Sequence, residues 1–200
     1  MEDNTKKIFR EVMHKFSELS YIRPEDIPDI PLYMDQITTF METKLESCKR
    51  YPDDKLITKT MINNYTKNKL IPPPDKKKYS KEHLILLIYT YYLKDFLSIS
   101  DIKAVLQPLE DKHFNDEGLF SMKDIYKESF DLIYDQKNYI LRDLMSRWKS
   151  SEKTFEDVPS EDREYLHIFA FICLLSFDVY VKKKLIETMI DEIGSQSDAD

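Results

Sequence analysis

A chain of 200 residues with 42% hydrophobic content can bury the core of one large domain or two small ones, which excludes disorder of the whole chain. Only two glycines occur, against an average usage of about 7%, so a turn-rich sheet fold and most glycine-rich nucleotide loops are excluded and an essentially all-α fold is favoured. The formal net charge of −7 excludes a uniformly basic coat, yet eight lysines against the single Asp75 lie between Lys55 and Lys81, so that window carries +7 and the remainder −14.

In chain order, the first element predicted is an amphipathic helix over about Thr5–Leu19, with Ile8, Val12, Phe16 and Leu19 at helical spacing. Its polar start, Met1-Glu2-Asp3-Asn4, lacks the apolar core of a signal peptide, so a cytoplasmic protein is expected. Pro24, Pro28 and Pro31 then remove donors and push their predecessors to extended geometry, giving an extended connector. A second helix over about Met34–Cys48 carries Ile37, Phe40, Met41 and Leu45 on one stripe. Thr58 is the N-cap of a third, short helix whose Ile62 and Tyr65 face inward while Lys59, Asn63 and Lys67 face outward.

After Pro72-Pro73-Pro74, the run Asp75-Lys76-Lys77-Lys78 reads as a tight basic turn between two very short strands. Ser80 opens a fourth helix with a core stripe of Leu84, Leu87, Ile88 and Tyr91. Ser98 or Ser100 caps a fifth, which buries Ile102, Val105, Leu106 and Leu109 and has Pro108 near its end. The charged stretch Glu110–Gly118 is the expected domain boundary. Two long helices follow, about Ser121–Lys149 and Glu161–Ile193, the second about 50 Å long, and a disordered tail is expected from Ser195. The apolar run Tyr165–Phe177 is shorter than the ~20 residues that a bilayer requires, so a core or dimer helix is expected in place of a membrane span.

Cys48 and Cys173 have no paired spacing, and His14, His83, His113 and His167 show no ligand spacing, so neither a disulfide framework nor a metal site is expected. His113-Phe114-Asn115-Asp116-Glu117 holds metal-capable side chains without a second anchored pair. No phosphate loop, nucleophile elbow or paired carboxylate in an apolar setting is present, so no enzyme activity and no cofactor are expected.

The order of motifs in the central part resembles the DNA-binding half of MerR-type transcription regulators. Ile62-Asn63-Asn64-Tyr65 stands where that family has its Leu-Arg-Tyr-Tyr recognition core. Lys69-Leu70-Ile71-Pro72-Pro73 is similar to its Gly-Leu-Leu-x-Pro exit, Lys77-Lys78-Tyr79-Ser80 to the end of its wing, and Phe96–Ile102 to its last turn. The block Ile27–Leu109 also resembles an uncharacterised bacterial domain-of-unknown-function family regarded as related to that fold. The resemblance implies an all-α chain with a small β wing: residues 1–31 a helix and connector, 32–109 a winged helix-turn-helix, 110–194 a helical dimerisation region, and 195–200 the tail.

The function so implied is a sequence-specific regulator that binds double-stranded DNA as a homodimer through its C-terminal helices. Lys59, Lys67, Lys76, Lys77 and Lys78 would neutralise phosphates, and Asn63 or Asn64 would read adenine through a bidentate amide. Tyr65 and Tyr79 are more often core or rim tyrosines, though one hydroxyl could still reach a phosphate, and Thr58 and Thr60 complete the set at the start of the helix. No membrane partner is expected, and a small-molecule effector against the aromatic C-terminal helix has no support beyond its composition. The alternative is a protein-interaction module that keeps the winged architecture without binding DNA.

Overall fold

The computed structural model describes residues 4–19, 21–114 and 120–197 and is mostly helical. Seven α-helices run among these residues: α1 (Asn4–Ser17), α2 (Met34–Lys44), α3 (Lys59–Lys67), α4 (Lys81–Leu93), α5 (Ile99–His113), α6 (Met122–Ser151) and α7 (Ser160–Ser197). Two short strands, β1 (Leu32–Tyr33) and β2 (Lys78–Tyr79), and two single 3-10 turns, Pro24–Asp26 and Glu46–Cys48, complete the elements. The chain forms two compact units, Ser20–Asp131 with Glu187–Asp200, and Met1–Leu19 with Leu132–Ile186. Residues 115–119, which hold the end of the expected boundary and of the His113–Glu117 motif, lie outside the described residues, as do 198–200 of the expected tail; α7 itself continues to Ser197.

The first unit is organised by α4. His83 through Ile88, Thr90 and Tyr91 are all buried, so the apolar surface runs round the helix and includes Ile85 and Leu86 as well as the expected stripe. A helix with no polar face must have neighbours on every side. The unit's other buried side chains include Ile37 and Met41 of α2, Ile62 and Tyr65 of α3, Ile102 and Leu106 of α5 and Met122 and Tyr126 of the first turns of α6, together with residues of the connecting segments such as Ile22, Leu70 and Ile71. Two tyrosine hydroxyls close the unit around the connector. Tyr126 donates to the Ile22 carbonyl at 2.6 Å, and Tyr92 accepts from the Ile22 N–H at 3.1 Å. Both backbone groups of a buried residue are thereby satisfied, one by α6 and one by α4. The connector contains a single helical turn, Pro24–Asp26, and Asp29 beyond it takes ion pairs from Lys81 and Lys123.

The caps follow from side-chain chemistry. Thr58 Oγ1 accepts from the Met61 N–H, and Ser98, not Ser100, caps α5 in a reciprocal arrangement with Asp101. At the end of α3, Leu70 N–H bonds the Tyr65 carbonyl and Lys69 N–H the Thr66 carbonyl, with Lys69 at φ 54. That is the arrangement in which glycine is the usual occupant, so a lysine there carries backbone strain.

In the second unit, Phe9 of α1 stacks on Trp148 of α6 at 4.3 Å, and Phe171 of α7 meets both rings edge-on. The inward side of α1 therefore includes Phe9, while Ile8 and Val12 of the expected stripe are exposed. Lys137 donates to the Ser17 and Leu19 carbonyls and so closes the C-terminal end of α1. Arg147 pairs with Asp143 on its own helix and reaches Asp178 on α7. Much apolar surface is uncovered, including Ile133, Tyr134 and Met145 of α6.

Replacing Tyr126 with Phe leaves the buried Ile22 carbonyl without its donor, and the expected result is a loss of about 1–2 kcal/mol in urea unfolding with an unchanged denaturant slope. An unaltered midpoint would show that the Tyr126 clamp contributes nothing to closing the unit.

Candidate nucleic-acid interface

Three prolines in a row cannot donate to a ladder, and this decides how the basic turn is built. The expected pair of strands within the hairpin shrinks to one bridge, Asp75 with Lys78. β2 pairs instead with β1, which precedes α2, in an antiparallel register that places Leu32 opposite Tyr79 and Tyr33 opposite Lys78. The basic turn is thus tied to the start of α2 rather than standing alone.

Lys78 N–H bonds the Asp75 carbonyl at 2.8 Å, and the two central residues, Lys76 and Lys77, have φ 47 and 66. Positive φ at both central positions is the habit of Asn-Gly turns, and side-chain-bearing residues there cost about 1–2 kcal/mol each. Three adjacent ammonium groups add mutual repulsion. A strained, self-repelling turn held in place by its surroundings is the kind of local expense that collects at functional sites.

Between this turn and α3 lies a groove of about 640 Å³, lined by Tyr33, Met34, Asp35, Asn63, Thr66, Lys67, Pro74, Lys77 and Tyr79. Four of the sequence-predicted residues, Asn63, Lys67, Lys77 and Tyr79, meet here. Lys59, Thr60, Asn63, Asn64, Lys67, Lys76, Lys77 and Lys78 are exposed, and Thr58 is half-buried at its cap. Tyr65 and Tyr79 are 7% and 3% exposed, so their rings belong to the core and Tyr79 closes the floor of the groove. Burial raises the pKa of both phenols, which keeps them neutral.

Tyr33, Met34, Asp35 and Thr66 join the site without a warning in the sequence, because only the β1–β2 pairing brings residues 33–35 to this surface. Asp35 pairs with Lys59, and the Lys78 ammonium lies 5.6 Å from the centre of the Tyr33 ring. The surface is therefore basic overall, with the Asp35 carboxylate set into the groove and Asp75 at the start of the turn.

His83 joins the turn to the core. The Ser80 N–H donates to its Nδ1 at 3.0 Å, which places the proton of the neutral ring on Nε2. The ring meets Tyr79 and Phe114 edge-on. Burial lowers its pKa, outweighing the nearby Pro73 and Pro72 carbonyls and Glu82, which favour the cation. Nε2 is buried without a well-formed hydrogen bond.

Helix α7 differs from expectation. The apolar run does not stop at Phe177 but resumes after Asp178. The stretch Asp162–Gly194, 33 residues that include an 18-residue apolar window of mean hydropathy 1.5, is long and apolar enough to cross a membrane by length and composition. Only 6% of that apolar window is buried, so of the two expected roles, core helix or dimer helix, α7 is not a core helix enclosed by its own chain. Among the described residues no three His, Cys, Asp or Glu side chains converge as a metal site would require.

A family model described as a domain of unknown function, DUF1836, matches residues 22–129. The chain belongs to this family. No curated protein and no solved structure matches it. The limits of the DUF1836 match agree with the physical closure of the first unit, since Ile22 near one end is held by Tyr126 near the other. The DUF1836 segment thus contains α2 to α5, the groove, the basic turn and the first turns of α6.

Protonation of His83 would turn the acceptor of the Ser80 N–H into a donor. Because the folded pKa is lowered, its contribution is fully present above the unfolded value near 6.5 and is lost as pH falls through the folded value. Thermal unfolding across that window should show a loss bounded by the worth of the cap, about 0.5–2 kcal/mol, and His83→Gln, which keeps an acceptor without titrating, should flatten it. Identical pH profiles for both proteins would remove His83 from this role.

Proposed function

We propose that the DUF1836 segment binds duplex DNA in the manner of a MerR-type winged helix-turn-helix, with α3 as the recognition helix and the Asp75–Lys78 turn as the wing, and that the protein is a cytoplasmic transcription regulator. The observation that carries this reading is the shared groove. The polar face of α3 and the lysine turn flank one concavity, which provides a helix for a major groove and cations for the adjoining phosphates. Lys67, Lys76 and Lys77 supply point charges rather than bidentate forks, so they contribute affinity with little sequence preference. Asn63 and Asn64 are the exposed amides of α3, and an amide can meet the adjacent acceptor and donor of adenine. The acidic remainder of the chain repels phosphate elsewhere and so restricts approach to this face. Two copies would read two half-sites, giving an operator with inverted-repeat symmetry.

One observation favours the alternative reading, a protein-interaction module. Asp35 lines the groove and already neutralises Lys59, and a carboxylate at a phosphate surface is a penalty that a basic or mixed protein partner would not meet.

The two readings separate on salt dependence. Changing Lys76, Lys77 and Lys78 together to Ala should reduce the slope of log affinity against log salt by about 2–3 if each contacts a phosphate, while Asn63→Ala and Asn64→Ala should leave the slope and weaken discrimination between sequences. An unchanged slope in the triple variant would favour the interaction module.

A further inference from the structure

We propose that the outward face of α7 is an interface for a second copy of this chain, with the two α7 helices antiparallel and a two-fold axis at Cys173. The inward face is already occupied. Phe171 is buried against Phe9 and Trp148, and Asp178, seven residues on, is held by Arg147 of α6 and Lys182. On the opposite side Tyr165, Phe169, Ile172, Phe177 and Tyr180 are exposed by 69, 47, 55, 66 and 57%. With aromatic side chains offering roughly 150–250 Å² each, the four rings alone leave on the order of 500 Å² of apolar surface open. That is most of the ~800 Å² that each partner contributes to a standard interface, and large for a free monomer surface.

Charge selects the occupant and its direction. The start of α7 reads Glu161-Asp162-Arg163-Glu164 and the segment after the apolar run reads Lys182-Lys183-Lys184, so the apolar face lies between an acidic end and a basic end. A parallel second copy would set lysines against lysines. An antiparallel copy centred on Cys173 sets Asp162 against Lys184 and places Phe169 opposite Phe177. The face is therefore complementary to itself, as an isologous two-fold interface must be. A bilayer is the less fitting occupant, because hydrocarbon around α7 would also enclose Arg147, Asp143 and Asp178. Cys173 is exposed and free, which makes it a reporter for the axis.

This surface deepens the homodimer part of the reading above and does not depend on DNA binding. The test uses the full chain. Sedimentation equilibrium should give a dimer, and a short bismaleimide should link Cys173 to Cys173, with the product lost in Cys173→Ser and kept in Cys48→Ser. Asp162→Lys alone or Lys184→Glu alone should weaken dimerisation about three- to tenfold, since each pair occurs twice, and the double exchange should restore it. A dimer that neither links through Cys173 nor responds to the exchange overturns the geometry. So does a monomer, whether it stays in solution or partitions into phosphatidylcholine vesicles, the latter assigning α7 to a bilayer. Duplex binding measured on the same samples separates the two readings: a Cys173-linked dimer that ignores DNA overturns only the regulator, and a DNA-binding monomer only this interface.

Discussion

The absence of backbone N–H groups at Pro72, Pro73 and Pro74 governs the architecture of the candidate site. Because those residues cannot form the first strand of a hairpin, Lys78–Tyr79 takes its ladder partner from Leu32–Tyr33, some 45 positions earlier. That single pairing fixes the basic turn beside α2 and α3, brings Tyr33 and Asp35 to the surface, and seats Tyr79 over the core beside His83. The strain of Lys76 and Lys77 at positive φ is sustained by the same attachment. Loosening the β1–β2 pair would free the turn, open the groove and expose the cap of α4 together.

Electrostatics and packing divide the labour between the two units. The first surrounds α4 with apolar side chains and uses its lysine-rich window as a surface. Its carboxylates are spent locally: Lys44 holds the Asp26 carboxyl, and Lys49 the Glu42 carboxyl, below their ordinary ranges. The second unit has an aromatic cluster of Phe9, Trp148 and Phe171 but leaves most of the apolar residues of α6 and α7 uncovered. A unit with so little enclosed core is a natural site for association.

Much of the helical order was legible in the residues. The Thr58 cap, the inward Ile62 and Tyr65, the start of α4 at Ser80 and the two long C-terminal helices are local properties, written in periodicity and capping chemistry. Less legible were features that depend on distant partners. The strand that accepts Lys78–Tyr79 lies before α2, and a two-residue strand has no periodicity to announce it. The burial of Ile85 and Leu86 depends on neighbours on all sides of α4. For Tyr79, as for the inward Tyr65, the residues left open a hydroxyl at the surface, whereas the surrounding apolar side chains withdraw both rings. The apolar run of α7 looked too short for a membrane because Asp178 interrupts it, yet apolar residues resume beyond that carboxylate, which Arg147 and Lys182 hold.

The central claim, that the α3 groove and its lysine turn recognise duplex DNA, is tested most directly by selection from a random duplex library with the folded full-length protein at physiological ionic strength. The account predicts enrichment of an inverted repeat whose half-sites are separated by about one helical turn, or a multiple of it. Recovery of no enriched sequence, with retention of duplexes in proportion to their length alone or not at all, would contradict it.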